Sequence, residues 1–208
     1  MTTPTAATLF TDPAPAQRLE RAASALTANG FVVEILDDAA AARTRVNDLI
    51  PEGASVYTGA SETLRLSGIL DDINASGRYQ PVGPRTMKMD RATQMDEIRR
   101  LLASPDVVVG SVAALTESGS LVVASATGSQ LPAYSGAARA IWVVGAQKVV
   151  PDLSTALRRV EEHCLPLENT RAQAAYGQPS AINRLLILNA EPVSGRGTVL
   201  LLREAIGF

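Results

Sequence analysis

Apolar positions along the chain alternate between two spacings. Leu19, Ala22, Ala23 and Leu26 recur every three or four residues, which predicts a helix over 15–29 ended by Gly30. The apolar run 31–36 reads as a strand. Asp37 or Asp38 then caps a helix through Leu49, and 54–58 reads as a second strand leading into Gly59. That helix–strand–helix–strand order favours a parallel sheet. Residues 61–76 predict one or two short helices with Gly68 as the break, and 78–85 a connection. Met89, Ala92, Met95, Ile98, Leu101 and Leu102 mark one face of a long helix over 86–103. Short apolar runs at 106–110, 121–125 and 140–145 predict strands, the last the clearest central one. Asp152 caps a helix to His163, with Leu153, Ala156, Leu157 and Val160 facing inward. Residues 166–181 carry few long apolar side chains and predict a surface excursion. Two strands, 185–188 and 198–202, close the chain around a turn at Pro192, Gly195 and Gly197. No internal repeat is visible. The expected organisation is a flexible arm over 1–13, then one α/β domain over 14–208.

Hydrophobic residues make up 46% of the 208 and aromatics only 4%, so the core must be mostly Val, Leu, Ile and Ala. Such a core suits a mostly parallel, doubly wound sheet flanked by helices. The net charge is −2, and the basic residues are scattered with no stacking aromatics among them, so no nucleic-acid partner is expected. No apolar run reaches 18 residues and the first residues lack a basic, then apolar, leader pattern. The expectation is therefore no membrane contact and a cytoplasmic location. Cys164 is the only cysteine and His163 the only histidine. Neither an iron–sulfur cluster held by this chain nor a metal is expected, nor a covalently bound cofactor. A serine triad could use only His163, and no GxSxG elbow accompanies it.

Several stretches together resemble one family. Pro51-Glu52-Gly53-Ala54-Ser55-Val56-Tyr57-Thr58-Gly59-Ala60-Ser61-Glu62-Thr63-Leu64 is similar to its strand and glycine/hydroxyl loop. Thr116-Glu117-Ser118-Gly119 is similar to its Thr-Glu-x-Gly signature, and Thr127-Gly128-Ser129-Gln130 stands where it has a Thr-Gly-Asn-Arg-like loop. Val143-Val144-Gly145-Ala146-Gln147-Lys148-Val149-Val150-Pro151-Asp152-Leu153 and the ending from Glu191 to Val199 also fit. In this order and spacing the chain resembles the LUD (lactate-utilisation) domain family over about 16–208. The resemblance implies a fold like that of sugar-phosphate isomerases and CoA transferases, a homodimer, and oxidoreductase partner subunits as an alternative to a free enzyme. The chain departs from many relatives in having no cysteine between Arg171 and Ile182, and Ser180-Ala181-Ile182-Asn183 where the lactate-operon branch has a Ser-Arg-Thr-Ala-Asp-type motif.

Four places are candidates for chemistry. Gly59 permits close approach of the backbone, and Ser61 and Thr63 can donate to phosphate or carboxylate oxygens; the same residues also read as an ordinary helix cap. Glu117, flanked by Thr116 and Gly119, is a candidate nucleophile or general base, similar to the glutamate turn of CoA transferases; otherwise it ties loop amides together. Thr127, Gly128 and Ser129 offer a weaker phosphate loop or a plain turn. Lys148, one of two lysines, is a candidate anion partner or a solvated loop residue. His163 and Cys164 read as structural, and Trp142 as core. The ligand these residues imply is a small anion: a phosphate, a carboxylate or an acyl-CoA. Two further roles stay open, a non-catalytic accessory subunit and a ligand sensor.

Overall fold

The computed structural model describes residues 10–208. Of the arm expected over 1–13, residues 1–9 lie outside the described residues. Phe10 is buried beside the His163 ring, centroids 6.1 Å apart, and Ala14 donates its N–H to the Ala146 carbonyl at 3.3 Å. Phe10 and Ala14 thus pack against the domain, with Thr11, Asp12 and Pro13 exposed between them.

The main sheet has six parallel strands. From one edge to the other they are β1 (Val32–Leu36), β10 (Gly197–Leu202), β7 (Arg139–Val144), β4 (Val107–Gly110), β2 (Ser55–Thr58) and β3 (Gln80–Pro81). Successive side chains of a strand point to opposite faces. Val108, Trp142, Val144, Val199 and Leu201 therefore enter one core, and Val107, Val109, Ile141, Val143, Leu200 and Leu202 the other. Both faces are covered, which is why these strands read as continuous apolar runs and not as alternating ones. Over the second face lie α2 (Ala39–Leu49), α3 (Glu62–Leu66) and α4 (Ile69–Ala75). Over the first lie α1 (Ala16–Ala28) and a smaller four-stranded sheet. That sheet runs β8 (Val149–Val150), β5 (Ala114–Thr116), β6 (Leu121–Ser125) and β9 (Arg184–Leu188). Trp142 is fully buried, edge-on to Phe31 and tilted against Tyr134.

Three expectations change. The helix expected over 86–103 divides into α5 (Val82–Met87) and α6 (Met95–Ala103). Between them Asp90 accepts from the Ala92 N–H and the Thr93 hydroxyl, at 2.9 and 2.8 Å, and holds a turn that competes with the helix. The surface excursion at 166–181 contains α9 (Leu165–Tyr176), which continues from α8 (Leu153–Arg159) through a π-helical turn, Val160–Cys164. The wider turn accommodates Pro166, which has no N–H to donate. Only Ala172 of α9 is buried, so no apolar stripe announced it. The two closing strands do not pair with each other. The fully buried β10 inserts between β1 and β7, while the half-exposed β9 edges the smaller sheet beside β6.

Candidate functional site

A cavity of about 380 Å³ opens beyond the C-terminal ends of β2, β4 and β7, where open parallel sheets place their ligands. Each of these strands contributes the residues that follow it: Ala60 and Ser61 after β2, Ser111 after β4, Lys148 after β7. Ser125 at the end of β6 and the loop with Thr127, Ser129 and Gln130 form the facing wall. The π-helical turn and α9 close the side with Val160, Cys164 and Arg171.

Lys148 is the centre of this arrangement. It is 1% exposed and lines the cavity, and its Nζ donates to Thr63 Oγ1 at 2.8 Å and to Ser111 Oγ at 3.0 Å. Each hydroxyl donates its own proton elsewhere, Thr63 to the Ile206 carbonyl at 3.3 Å and Ser111 to the Val143 carbonyl at 2.7 Å. Burial and, after it, the neighbouring Arg159 charge push the lysine pKa down to about 7, with Cys164 opposing the fall. No carboxylate pairs with Lys148 or Arg159 among the described residues.

Arg159 is fully buried behind the cavity wall. Its Nε donates to the Gln147 carbonyl at 3.3 Å, and its Nη1 donates to the Ala113 carbonyl and to Cys164 Sγ at 3.0 Å. Burial pushes the Cys164 thiol up, so it serves as a neutral acceptor. Burial, with Arg159 and then Lys148, pushes His163 down to about 4 and keeps it neutral. The two acidic side chains on the cavity wall are already satisfied: Arg65 grips Glu62 and Arg171 grips Glu168, each by two nitrogens.

The expected loops meet only in part. Gly59 faces the 127–130 loop closely enough that a Cβ there would lie 3.2 Å from Gln130 Cβ, and Ser61, Thr127 and Ser129 line the cavity. Ser61 also caps α3, accepting from the Leu64 N–H at 3.3 Å. Thr63 is 1% exposed and acts from behind the wall, through Lys148. Gly128 shapes the turn: its φ is +78°, its N–H reaches Ser125 Oγ at 2.8 Å, and a side chain there would strike Arg184.

Glu117 is elsewhere and is not among the residues that line the cavity. Ala113 lines the cavity just before β5, whereas Glu117 follows the other end of that strand. There it holds two arginines of α1, Arg18 at 2.7 Å and Arg21 at 2.8 Å. Thr116 is buried and spends its hydroxyl on Ser118 and on the Ser120 N–H, both at 2.9 Å. Gly119 has φ +86° and touches α1, so that a Cβ would come within 2.9 Å of the Leu26 nitrogen. The turn is a clamp for α1. Glu117→Gln should therefore leave cavity binding intact and lower stability by about 1 kcal/mol, measured by urea denaturation at pH 7. The Arg21 pairing, with that of Arg18, holds the Glu117 carboxyl below its ordinary range. Its contribution is complete above the unfolded value of 4.5 and disappears as pH falls through the lower folded value, so wild type and variant should converge in acid.

Ser111, Tyr134, Arg159 and Arg171 went unrecognised in the sequence. Ser111 had a signal, since it follows a strand-ending glycine as Ala60 does. Arg159 had one too: Ala156, Arg159, Val160 and His163 share the buried face, while Leu153 is 40% exposed.

Among the described residues no helix is long and apolar enough to cross a membrane, and no group of three or more His, Cys, Asp or Glu side chains is placed to hold a metal. No curated protein matches the chain. The fold is similar to the crystal structure of a DUF162 family protein from Deinococcus radiodurans, with a TM-score of 0.50 and 13% identity over 90% of this chain and 96% of that one. The LUD domain model matches residues 19–184, which hold the cavity's lysine, its hydroxyls and the π-helical turn. On that match the chain belongs to the LUD domain family.

Proposed function

We propose that the chain binds a small organic anion, a carboxylate or a phosphate, in the cavity beside Lys148. The observation that carries this reading is a buried lysine on the wall of a ligand-sized cavity, supported by two hydroxyls and paired with no carboxylate among the described residues. Arg159 adds a second buried positive charge close enough to depress it. A bound anion supplies the missing counter-charge, and Ser61, Thr127 and Ser129 offer it hydroxyl donors. An anion stabilises the ammonium form, so binding raises the lysine pKa from about 7 and takes up a proton above that pH. Affinity should fall as pH rises from 7 towards 9.

Thermal-shift screening at pH 7 against sugar phosphates, nucleotides, CoA esters and hydroxy acids tests the proposal. A ligand at about 100 times its Kd should add about 2.7 kcal/mol of stability. Lys148→Met should abolish the shift. A panel without a hit, or a hit that the variant binds equally well, would overturn the reading.

A further inference from the structure

The hydrogen bonds around Lys148 do more than place a charge. Because the Thr63 and Ser111 hydroxyls give their protons to carbonyls, they face Nζ as acceptors. A neutral amine has two N–H bonds, and these two acceptors use both. Its lone pair then occupies the remaining tetrahedral position, on a side chain that lines a ligand-sized cavity. The same hydroxyls keep the amine from turning its lone pair inward. We infer that Lys148 is a nucleophile that forms an imine with an aldehyde or 2-oxo acid held in this cavity.

The step needs no other reactant. The Nζ lone pair attacks the carbonyl carbon, a C–N bond forms, and the C=O π pair moves onto oxygen. A proton passes from nitrogen to that oxygen, giving the carbinolamine. A second proton, from solvent, lets the oxygen leave as water; the C–O bond breaks and the nitrogen pair forms C=N, leaving a protonated imine. Because burial and Arg159 bring the ammonium pKa to about 7, a large share of the amine is unprotonated at neutral pH, as such a nucleophile requires. The product cation stands where the ammonium stood, with no carboxylate against it among the described residues, so an acid group beside the carbonyl balances its charge. The inference rests on the cavity being a ligand site and narrows the ligand to a carbonyl compound.

Glyoxylate with sodium borohydride, followed by peptide mapping of the full chain, reads this directly and needs no variant. The chain's other lysine, the exposed Lys88, is the internal control. At pH 7 the reduced adduct should lie on Lys148 at least about tenfold over Lys88, since an ordinary lysine is almost wholly protonated there. Glycolaldehyde, an uncharged carbonyl of similar size, should label Lys148 more weakly. Thermal shift with glycolate, the same acid without the carbonyl, runs in parallel. Stabilisation by glycolate with labelling of Lys148 no greater than of Lys88 sinks the imine and leaves anion binding standing. Labelling of Lys148 by both carbonyls alike, with no glycolate shift, keeps the imine and sinks anion binding. Neither effect sinks both.

Discussion

Replacing Lys148 with methionine should make the protein more stable below pH 7, by about 1–4 kcal/mol, the range found when buried charged groups give way to apolar ones of similar shape. Methionine has nearly the length and flexibility of the lysine stem and adds no polar atom. Thr63 and Ser111 keep the carbonyls to which they donate, so neither is stranded. The sign follows from the pKa, which is about 7 in the folded protein against 10.5 for an ordinary lysine. Between those values the unfolded chain holds the proton more tightly, so wild-type stability climbs as pH rises from 7 to 10.5 and the lysine's penalty is complete below 7. The variant lacks that climb. Urea denaturation at pH 6 and pH 9.5 should show its advantage shrinking at the higher pH. Equal or lower stability of the variant at pH 6 would mean that the two hydroxyl bonds hold the fold more than burial strains it, and the lysine would then be a structural strut. A gain paired with lost ligand binding is the pattern of a residue kept for function at the expense of stability.

What could be read in the sequence divides by the range of the interaction. Strands β7 and β10 announce themselves because a strand buried on both faces must be apolar at every position, a purely local signature. Gly59, Ser61 and Lys148 were legible for a related reason: each closely follows a strand, and the ends of parallel strands converge on one edge. Glu117 satisfied the same rule and still lies elsewhere, because β5 belongs to the smaller sheet and carries its turn away from the cavity towards Arg18 and Arg21. No local pattern says which sheet a three-residue strand will join. Strand β9 misled in the same way, since a turn between two apolar runs is the mark of a hairpin and these two runs lie in different sheets. Helix α9 was hidden because it buries little beyond Ala172 and turns Glu168 and Arg171 to the cavity; periodicity reports apolar cores, not cavity walls.

Arg159→Met should have the opposite sign from the lysine replacement although both remove a buried cation. The acceptors of Lys148 are hydroxyls with other partners; those of Arg159 include the backbone carbonyls of Gln147 and Ala113. A buried acceptor left without a donor forfeits about 1–3 kcal/mol; the Gln147 carbonyl is buried and the Ala113 carbonyl half-buried at the cavity wall, so their loss, partly offset by relief of the buried charge, gives a net loss of about 1–3 kcal/mol. Cys164 remains near the Ala113 carbonyl at 3.7 Å and recovers little, being a weak donor. The guanidinium also ties α8 to the residue just before Lys148 and to the strand entry beside the cavity, so its loss loosens the wall that carries the amine. A second effect separates this tie from a mere strut. The Arg159 charge helps hold the Lys148 pKa down, so the variant's lysine titrates at higher pH. Anion binding should then persist to higher pH, and borohydride trapping at pH 7 should weaken. Arg159→Lys, which keeps the charge and loses the fork of donors, should lose stability in the same direction while leaving the pH profile near that of the wild type. A profile unmoved in Arg159→Met would restrict Arg159 to holding the wall and would assign the depressed lysine pKa to burial alone.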